Sequence, residues 1–263
     1  MTACQWDREP GLDLVTFEAQ PLPAFRALTN IGAACDDCIE PAPNSVAWYA
    51  GDLCGPADLH GFFDASFTSF PFCPANWQVG GGAMAFSSSA PNYMTTDVDC
   101  GPDPLDHGYT ISTWVRSTSP SNFQGLASKG VAPGFELLMI NGHARFTICD
   151  GGSCWLTDGS TTINDGEWHH VAVTLLRGPT SIVTLWVDGH IEDVTLAPLG
   201  TIDTPHPLLI GASPSPSPSL FFDGEMDEFQ IHDRALLVHE VQAIYHAGMA
   251  GQCRETCRVV DTC

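Results

Sequence analysis

Leu220-Phe-Phe-Asp-Gly-Glu-Met-Asp-Glu-Phe-Gln-Ile-His-Asp-Arg-Ala-Leu236, continuing through Glu240-Val-Gln-Ala-Ile-Tyr-His-Ala-Gly248, carries two periodicities in succession. The front half is rich in aromatic and branched residues and predicts a strand. Apolar residues at Val238, Val241 and Tyr245 predict a short amphipathic helix over Val238–His246. Met226, Phe229 and Ile231 read as the core side of the strand, yet Met226 and Phe229 are three apart, whereas a pleat alternates every two residues. A β-bulge at Asp227–Glu228 restores the phase, and bulges re-aim side chains next to functional sites. Asp227 is therefore a candidate ligand on a rigid strand. The competing expectation is a solvated acidic edge.

Short strands punctuated by turn residues extend upstream. Val46–Ala50, Ala83–Phe86, Tyr93–Thr96 and Tyr109–Arg116 read as strands, the last with Ile111 and Trp114 on opposite faces, as inside a two-layer sandwich. Gly134–Ile140 turns at Asn141-Gly142 into His143–Ile148. Cys149-Asp-Gly-Gly-Ser-Cys154 is a second tight turn whose flanking cysteines face each other closely enough for a disulfide. Trp168–Leu176 and Ser181–Val187 flank Arg177-Gly-Pro-Thr180, and Asp188-Gly189 turns the chain into Ile191–Leu196. This pattern predicts an all-β fold, a two-sheet antiparallel sandwich with one short C-terminal helix.

The closing stretch resembles the signature of laminin-G-like (concanavalin A-like) jelly-roll domains of the bacterial LamG type. Val46-Ala-Trp-Tyr-Ala-Gly-Asp52, Tyr109-Thr-Ile-Ser-Thr-Trp-Val115, Gly166-Glu-Trp-His-His-Val-Ala-Val173, Leu185-Trp-Val-Asp-Gly189 and Leu208-Leu-Ile-Gly211 resemble the same family in the expected order. The resemblance covers residues 45–250 and implies an antiparallel jelly roll. Residues 1–44 then form an N-terminal Cys/Pro-containing arm and residues 251–263 a Cys-containing tail. It also implies calcium, held where an acidic loop after the first strand meets the closing strand. Asp58, His60 (through its carbonyl), Asp64 and Asp227 are the expected ligands, with Asp52 weaker. Phe62 and Phe63 stand where relatives carry Asn or Asp. In a jelly roll the first and last strands lie side by side, which makes a Cys38–Cys253 link plausible.

With 9 Lys+Arg against 31 Asp+Glu, the formal charge of −22 excludes nucleic acid and an anionic membrane surface as partners and suits divalent cations. No apolar run is long enough to insert into a membrane. Eleven cysteines in 263 residues point to an oxidising, extracellular or cell-surface setting, although Met1–Pro10 lacks the apolar core of a secretory signal. Cys54 and Cys73 bracket the acidic loop and are a further expected pair. The odd count leaves one thiol free or bonded to another chain. Within the arm, Leu12-Asp-Leu-Val-Thr-Phe-Glu18 reads as one strand, packed on its own domain or donated to a neighbour. Ser213-Pro-Ser-Pro-Ser-Pro-Ser219 reads as an extended spacer, and its serines could carry O-linked sugar; no Asn-x-Ser/Thr site exists.

Catalysis finds little support. Glu225 and Asp227 match the first two places of a glucanase Glu-x-Asp-x-Glu strand, but Phe229 and Gln230 stand where the third carboxylate belongs. Cys35-Asp-Asp-Cys38 and Cys253 with Cys257 have zinc-like spacing, which the oxidising setting disfavours. His169 and His170 are adjacent, so on a strand they face opposite ways and cannot share an ion. The expectation is a non-enzymatic module binding carbohydrate or an extracellular protein, with Trp48, Trp77, Trp155, Trp168 and Trp186 available for stacking. The alternative is a structural subunit self-associating into a surface array or fibril through the arm.

Overall fold

The structure, a computed structural model, describes residues 38–52, 56–61, 63–69, 77–96, 108–214 and 218–253. Expectations for Leu12–Glu18, the Cys54–Cys73 pair, Cys35 and Cys257 lie outside these residues. The strands in chain order are β1 (Ser45–Tyr49), β2 (Ala65–Phe67), β3 (Met84–Phe86), β4 (Met94–Thr96), β5 (Tyr109–Arg116), β6 (Phe123–Gly130) and β7 (Gly134–Ile140). They continue with β8 (His143–Cys149), β9 (Cys154–Thr162), β10 (His169–Leu176), β11 (Ser181–Val187), β12 (His190–Ala197), β13 (Leu208–Ile210) and β14 (Gly224–His232), before helix α1 (Val238–Ala247). One seven-stranded sheet runs β1-β14-β5-β10-β11-β12, with β3 also on β14; the other runs β2-β4-β13-β6-β7-β8-β9. The two-sheet sandwich expected from the turn chemistry, and the jelly roll that the resemblance implies, are present.

The core lies between the sheets. Val171, Val173 and Leu175 of β10 and Val183, Leu185 and Val187 of β11 point inward, while Ala172, Thr174 and Trp186 take the opposite face. That outer face is partly covered by α1. Val241 and Ile244 of the helix pack with Leu236 on Ala172 and Trp186, and Tyr245 stacks on Trp114 at 5.9 Å. The buried stripe is thus Val241 and Ile244 beside Tyr245; Val238, expected in it, is half exposed because it sits in the first turn, ahead of the contact. At the N-terminus of α1 the Glu240 carboxylate accepts the Leu237 N–H (2.7 Å) and pairs with Arg234, supplying one of the acceptors that a first helical turn lacks.

Three strands had no clear signal. β6 reads Phe-Gln-Gly-Leu-Ala-Ser-Lys-Gly, with two glycines and no alternation, yet it is central, between β13 and β7. Packing on both sides overrides its weak strand propensity. β9 is a polar edge strand, and β2 has three residues. The ends of the Ser-Pro run do not stand apart as in the expected spacer: Ser213 and Ser219 exchange both backbone hydrogen bonds (2.9 and 2.8 Å). Two disulfides stand in the described residues, Cys38–Cys253 and Cys149–Cys154, both as expected. Cys38 and Cys253 are therefore unavailable as zinc ligands.

Candidate functional site: the bulge on the closing strand

The bulge is real, and its position has a structural reason. Along one edge β14 pairs first with β3, through Gly224–Met226, and then with β1, through Phe229–His232. Asp227 and Glu228 fall in the gap between these partners. On the other edge the register with β5 breaks there: Asp227 faces Trp114 and Gln230 faces Ser112. Glu228 takes φ +52°, a left-handed conformation uncommon for a side chain of its kind. The bulge keeps Met226, Phe229 and Ile231 in the core, as the sequence phase requires.

It also turns two carboxyl groups into the fold. Asp227 is fully buried and Glu228 is 5% exposed, so the expected alternative of a solvated acidic edge does not hold. Asp227 Oδ2 accepts the backbone N–H groups of Gln78 (2.9 Å) and Val79 (2.8 Å). Its Oδ1 has no hydrogen-bond partner. Gly51 (φ +72°) lies alongside: a Cβ there would stand 3.3 Å from that oxygen and 3.0 Å from Ala83 Cα, so only glycine fits both the conformation and the space. Glu228 Oε2 accepts the Trp48 indole N–H at 2.8 Å. Burial pushes the Asp227 carboxyl up to about 7, against the pull of the N–H groups of Val79, Gln78 and Glu228. Glu228 is raised well above its ordinary value by burial, then by the neighbouring Asp227 charge, with the Trp48 bond working the other way.

The other expected ligands form a separate unit. Asp58 Oδ1 accepts the N–H groups of Trp48 (2.8 Å) and His60 (3.2 Å), and its Oδ2 accepts that of Phe63 (3.1 Å). Asp64 Oδ1 in turn accepts the Asp58 N–H (3.2 Å), and the His60 ring meets Ser45 Oγ at 3.0 Å. Asp58 therefore pins its own loop to β1, while Asp52 holds the Gly81 N–H (2.9 Å). Trp48 links the two units, its backbone to Asp58 and its indole to Glu228. Among the described residues no three His, Cys, Asp or Glu side chains gather as a metal-ligating group, so Asp58, His60, Asp64 and Asp227 do not converge on one point through their side chains. The atom that fits a cation is Asp227 Oδ1, a buried acceptor without a donor.

The remaining candidates sort by burial. Glu225 is held by Arg116 in a two-pronged ion pair (both contacts 3.1 Å). His169 faces away from its neighbour, between Asp188 (2.8 Å) and Asp165 (3.1 Å), and hydrogen bonding to Asp188 raises its pKa. His170 is buried against Trp114 (5.3 Å) and Tyr245, and burial lowers it to about 4. Of the stacking candidates, Trp48 and Trp186 are buried. Trp77 is 42% exposed, and Trp155 and Trp168 are half-buried, the latter with the Arg116 guanidinium 5.3 Å from its ring centre. The roles of Glu228, Gly51 and Arg116 left no sequence signal, because each depends on which strands become neighbours.

The family Laminin_G_3, described as the concanavalin A-like lectin/glucanases superfamily, matches residues 89–242. The chain belongs to this family. No curated protein matches it. Among solved structures, this laminin-G-like domain is similar to the binding domain of Paraclostridial Mosquitocidal Protein 1, with a TM-score of 0.61 and 16% identity over 77% of this chain and 52% of that one. It is also similar to domain 4 of AbnA, a GH43 extracellular arabinanase from Geobacillus stearothermophilus, in complex with arabinotriose (TM-score 0.57, 17% identity, 76% of this chain and 97% of that one). A third is the binding domain of Botulinum Neurotoxin DC in complex with SialylT (TM-score 0.61, 12% identity, 78% and 52%). Identities this low show the fold alone. The laminin-G-like domain spans about half the length of the toxin binding domains.

Proposed function

We propose that this laminin-G-like domain is a non-catalytic extracellular recognition module that binds carbohydrate, with a calcium ion at the bulge of β14. The observation carrying the non-catalytic part is the state of the closing-strand carboxyl groups. Glu225 is neutralised by Arg116, and Asp227 and Glu228 are buried. A retaining glycosidase needs an acid and a nucleophile about 5 Å apart facing the sugar, and β14 presents no such pair to solvent. Trp77 and Trp168 are the tryptophans placed to stack on a sugar ring, the second with Arg116 and Glu225 as adjacent donor and acceptor. Two of the structural neighbours are described in complex with sugars, arabinotriose and SialylT. One is described with a protein, rat synaptotagmin II, so a protein ligand is the alternative for the same surfaces. The fibril reading rests on residues 1–37 and on the odd cysteine, both outside the described residues.

For calcium, Asp227 Oδ1 and the Glu228 carboxylate are the acceptors the fold supplies, with backbone carbonyls and water completing the six to eight oxygens the ion takes. A bound divalent cation would relieve the mutual repulsion of two buried carboxylates and tie β14 to the Gly51 turn. Affinity electrophoresis in gels cast with soluble polysaccharides, run beside a reducing-end assay on the same polymers, tests the main proposal. Retardation without release of reducing ends is expected. Hydrolysis would overturn the non-catalytic reading, and no retardation on any polymer would count against carbohydrate.

A further inference from the structure

The outer face of the β1-containing sheet is only partly covered. Helix α1 occupies the region over Trp114, Ala172 and Trp186. Beyond it an apolar row crosses three adjacent strands. Leu176 of β10 faces Ile182 of β11, which faces Leu196 of β12, and Val194 lies two residues from Leu196 on the same face, opposite Thr184. Because Leu175, Val183 and Ala197 point into the core, alternation places these side chains on the outside. They are 54%, 37%, 62% and 47% exposed, respectively. A contiguous aliphatic row on a strand-rich surface marks a contact site. The row has nothing cationic on it to attract an anionic ligand, and its aliphatic side chains lack the flat ring that stacks on a sugar.

We propose that this surface binds the chain's own N-terminal segment Leu12-Asp-Leu-Val-Thr-Phe-Glu18. The argument is where the chain enters and how much of it precedes that point. Cys38 is bonded to Cys253, Ile39 pairs with Gln252, and Ile39 and Ala42 pack on the cluster formed by Ala172, Trp186 and the helix. Residue 38 is thus fastened on the same outer face that carries the row. From β14, beside which this entry strap runs, to β12 is four strand spacings, about 20 Å at roughly 4.8 Å each. Some 20 residues separate Glu18 from Cys38, enough for about 65 Å of extended chain. Reach is ample, and the tether through Cys38 keeps the segment at a high effective concentration over the sheet. As a strand the segment offers one apolar pair per face, Leu12 with Leu14 or Val15 with Phe17, to an aliphatic surface. A second copy of the chain is a poorer occupant, since two molecules of formal charge −22 repel.

Hydrogen exchange read by mass spectrometry on the full chain tests this, at two protein concentrations at least tenfold apart. In the wild type the amides of residues 12–18 should exchange slowly and independently of concentration. In a variant carrying Ile182→Lys and Leu196→Lys they should exchange at least tenfold faster while β10 and β14 keep their protection, which serves as the folding control. Leu176→Asp is the second variant, should the first fail to fold. Equal exchange of residues 12–18 in wild type and variant would overturn the proposal. So would protection that falls on dilution, which would assign the face to a neighbouring copy, or protection that appears only on adding a sugar ligand.

Discussion

His170 gives the most quantitative test of how the outer layer is built. Its ring is 1% exposed, neither ring nitrogen has a hydrogen-bond partner, and it is enclosed by Trp114 from β5 and Tyr245 from α1. The one charged group pulling the other way is Asp188, whose Oδ1 accepts the His170 backbone N–H. Burial lowers the imidazole from 6.5 to about 4. A proton therefore binds the unfolded chain more readily than the fold. The penalty is absent above pH 6.5, grows as pH falls through the window between the two values, and is complete below about pH 4. By linkage it is about 2 kcal/mol at pH 5 and approaches about 3 kcal/mol at the acid limit. For a chain of this size, about 2 kcal/mol corresponds to roughly 4–8 °C in Tm. Thermal melts of wild type and His170→Phe at pH 7.5 and 5.0 read this directly. The variant should gain on the wild type by that amount on acidification. Asp227, raised to about 7, shifts stability the opposite way as pH falls, but it does so in both proteins and cancels in the difference. Parallel pH profiles for the two proteins would refute the reasoning.

Other consequences follow from the same contacts. Replacing Cys38 and Cys253 by Ser opens a loop spanning 215 residues of sequence separation, and chain-entropy reasoning puts the loss at about 5 kcal/mol, measurable by urea unfolding against the wild type with its disulfides intact. Trp48→Phe removes the indole N–H donated to Glu228 and leaves a buried carboxyl without that donor, at a cost of about 1–3 kcal/mol in the same assay. Millimolar calcium should raise Tm in the wild type and not in Asp227→Asn; an identical response would remove the ion from the bulge and leave Asp227 and Glu228 as a pair holding a proton. Because Asp227 titrates near 7, the calcium response should weaken between pH 8 and 6.

How far the sequence reached depends on how local each signal is. The three-residue step from Met226 to Phe229 was enough to place the bulge, because the core demands a fixed phase on a strand. Asn141-Gly142 and Asp188-Gly189 placed their hairpins, and the Cys149–Cys154 turn placed its disulfide. β6 was invisible because its residues are poor strand formers whose position is decided by β7 and β13. The site was legible in part. The broken alternation located Asp227 at the bulge, but Glu228 was read only as the other half of that bulge, and its inward turn depends on a positive φ that no side chain announces. Asp58 was singled out through the family resemblance; that its two oxygens accept the backbone N–H groups of Trp48, His60 and Phe63 depends on how the loop folds back on β1, which the residues alone do not announce. The five tryptophans looked equivalent until sheet pairing buried Trp48 and Trp186.

Recognition of carbohydrate is the claim on which the account turns, and a glycan microarray probed with the full chain, with calcium and with chelator, tests it most directly. The account predicts discrete sugar hits that weaken in chelator and are lost in Trp77→Ala or Trp168→Ala without loss of Tm. An array silent in both conditions, or hits unchanged in both tryptophan variants, would contradict it.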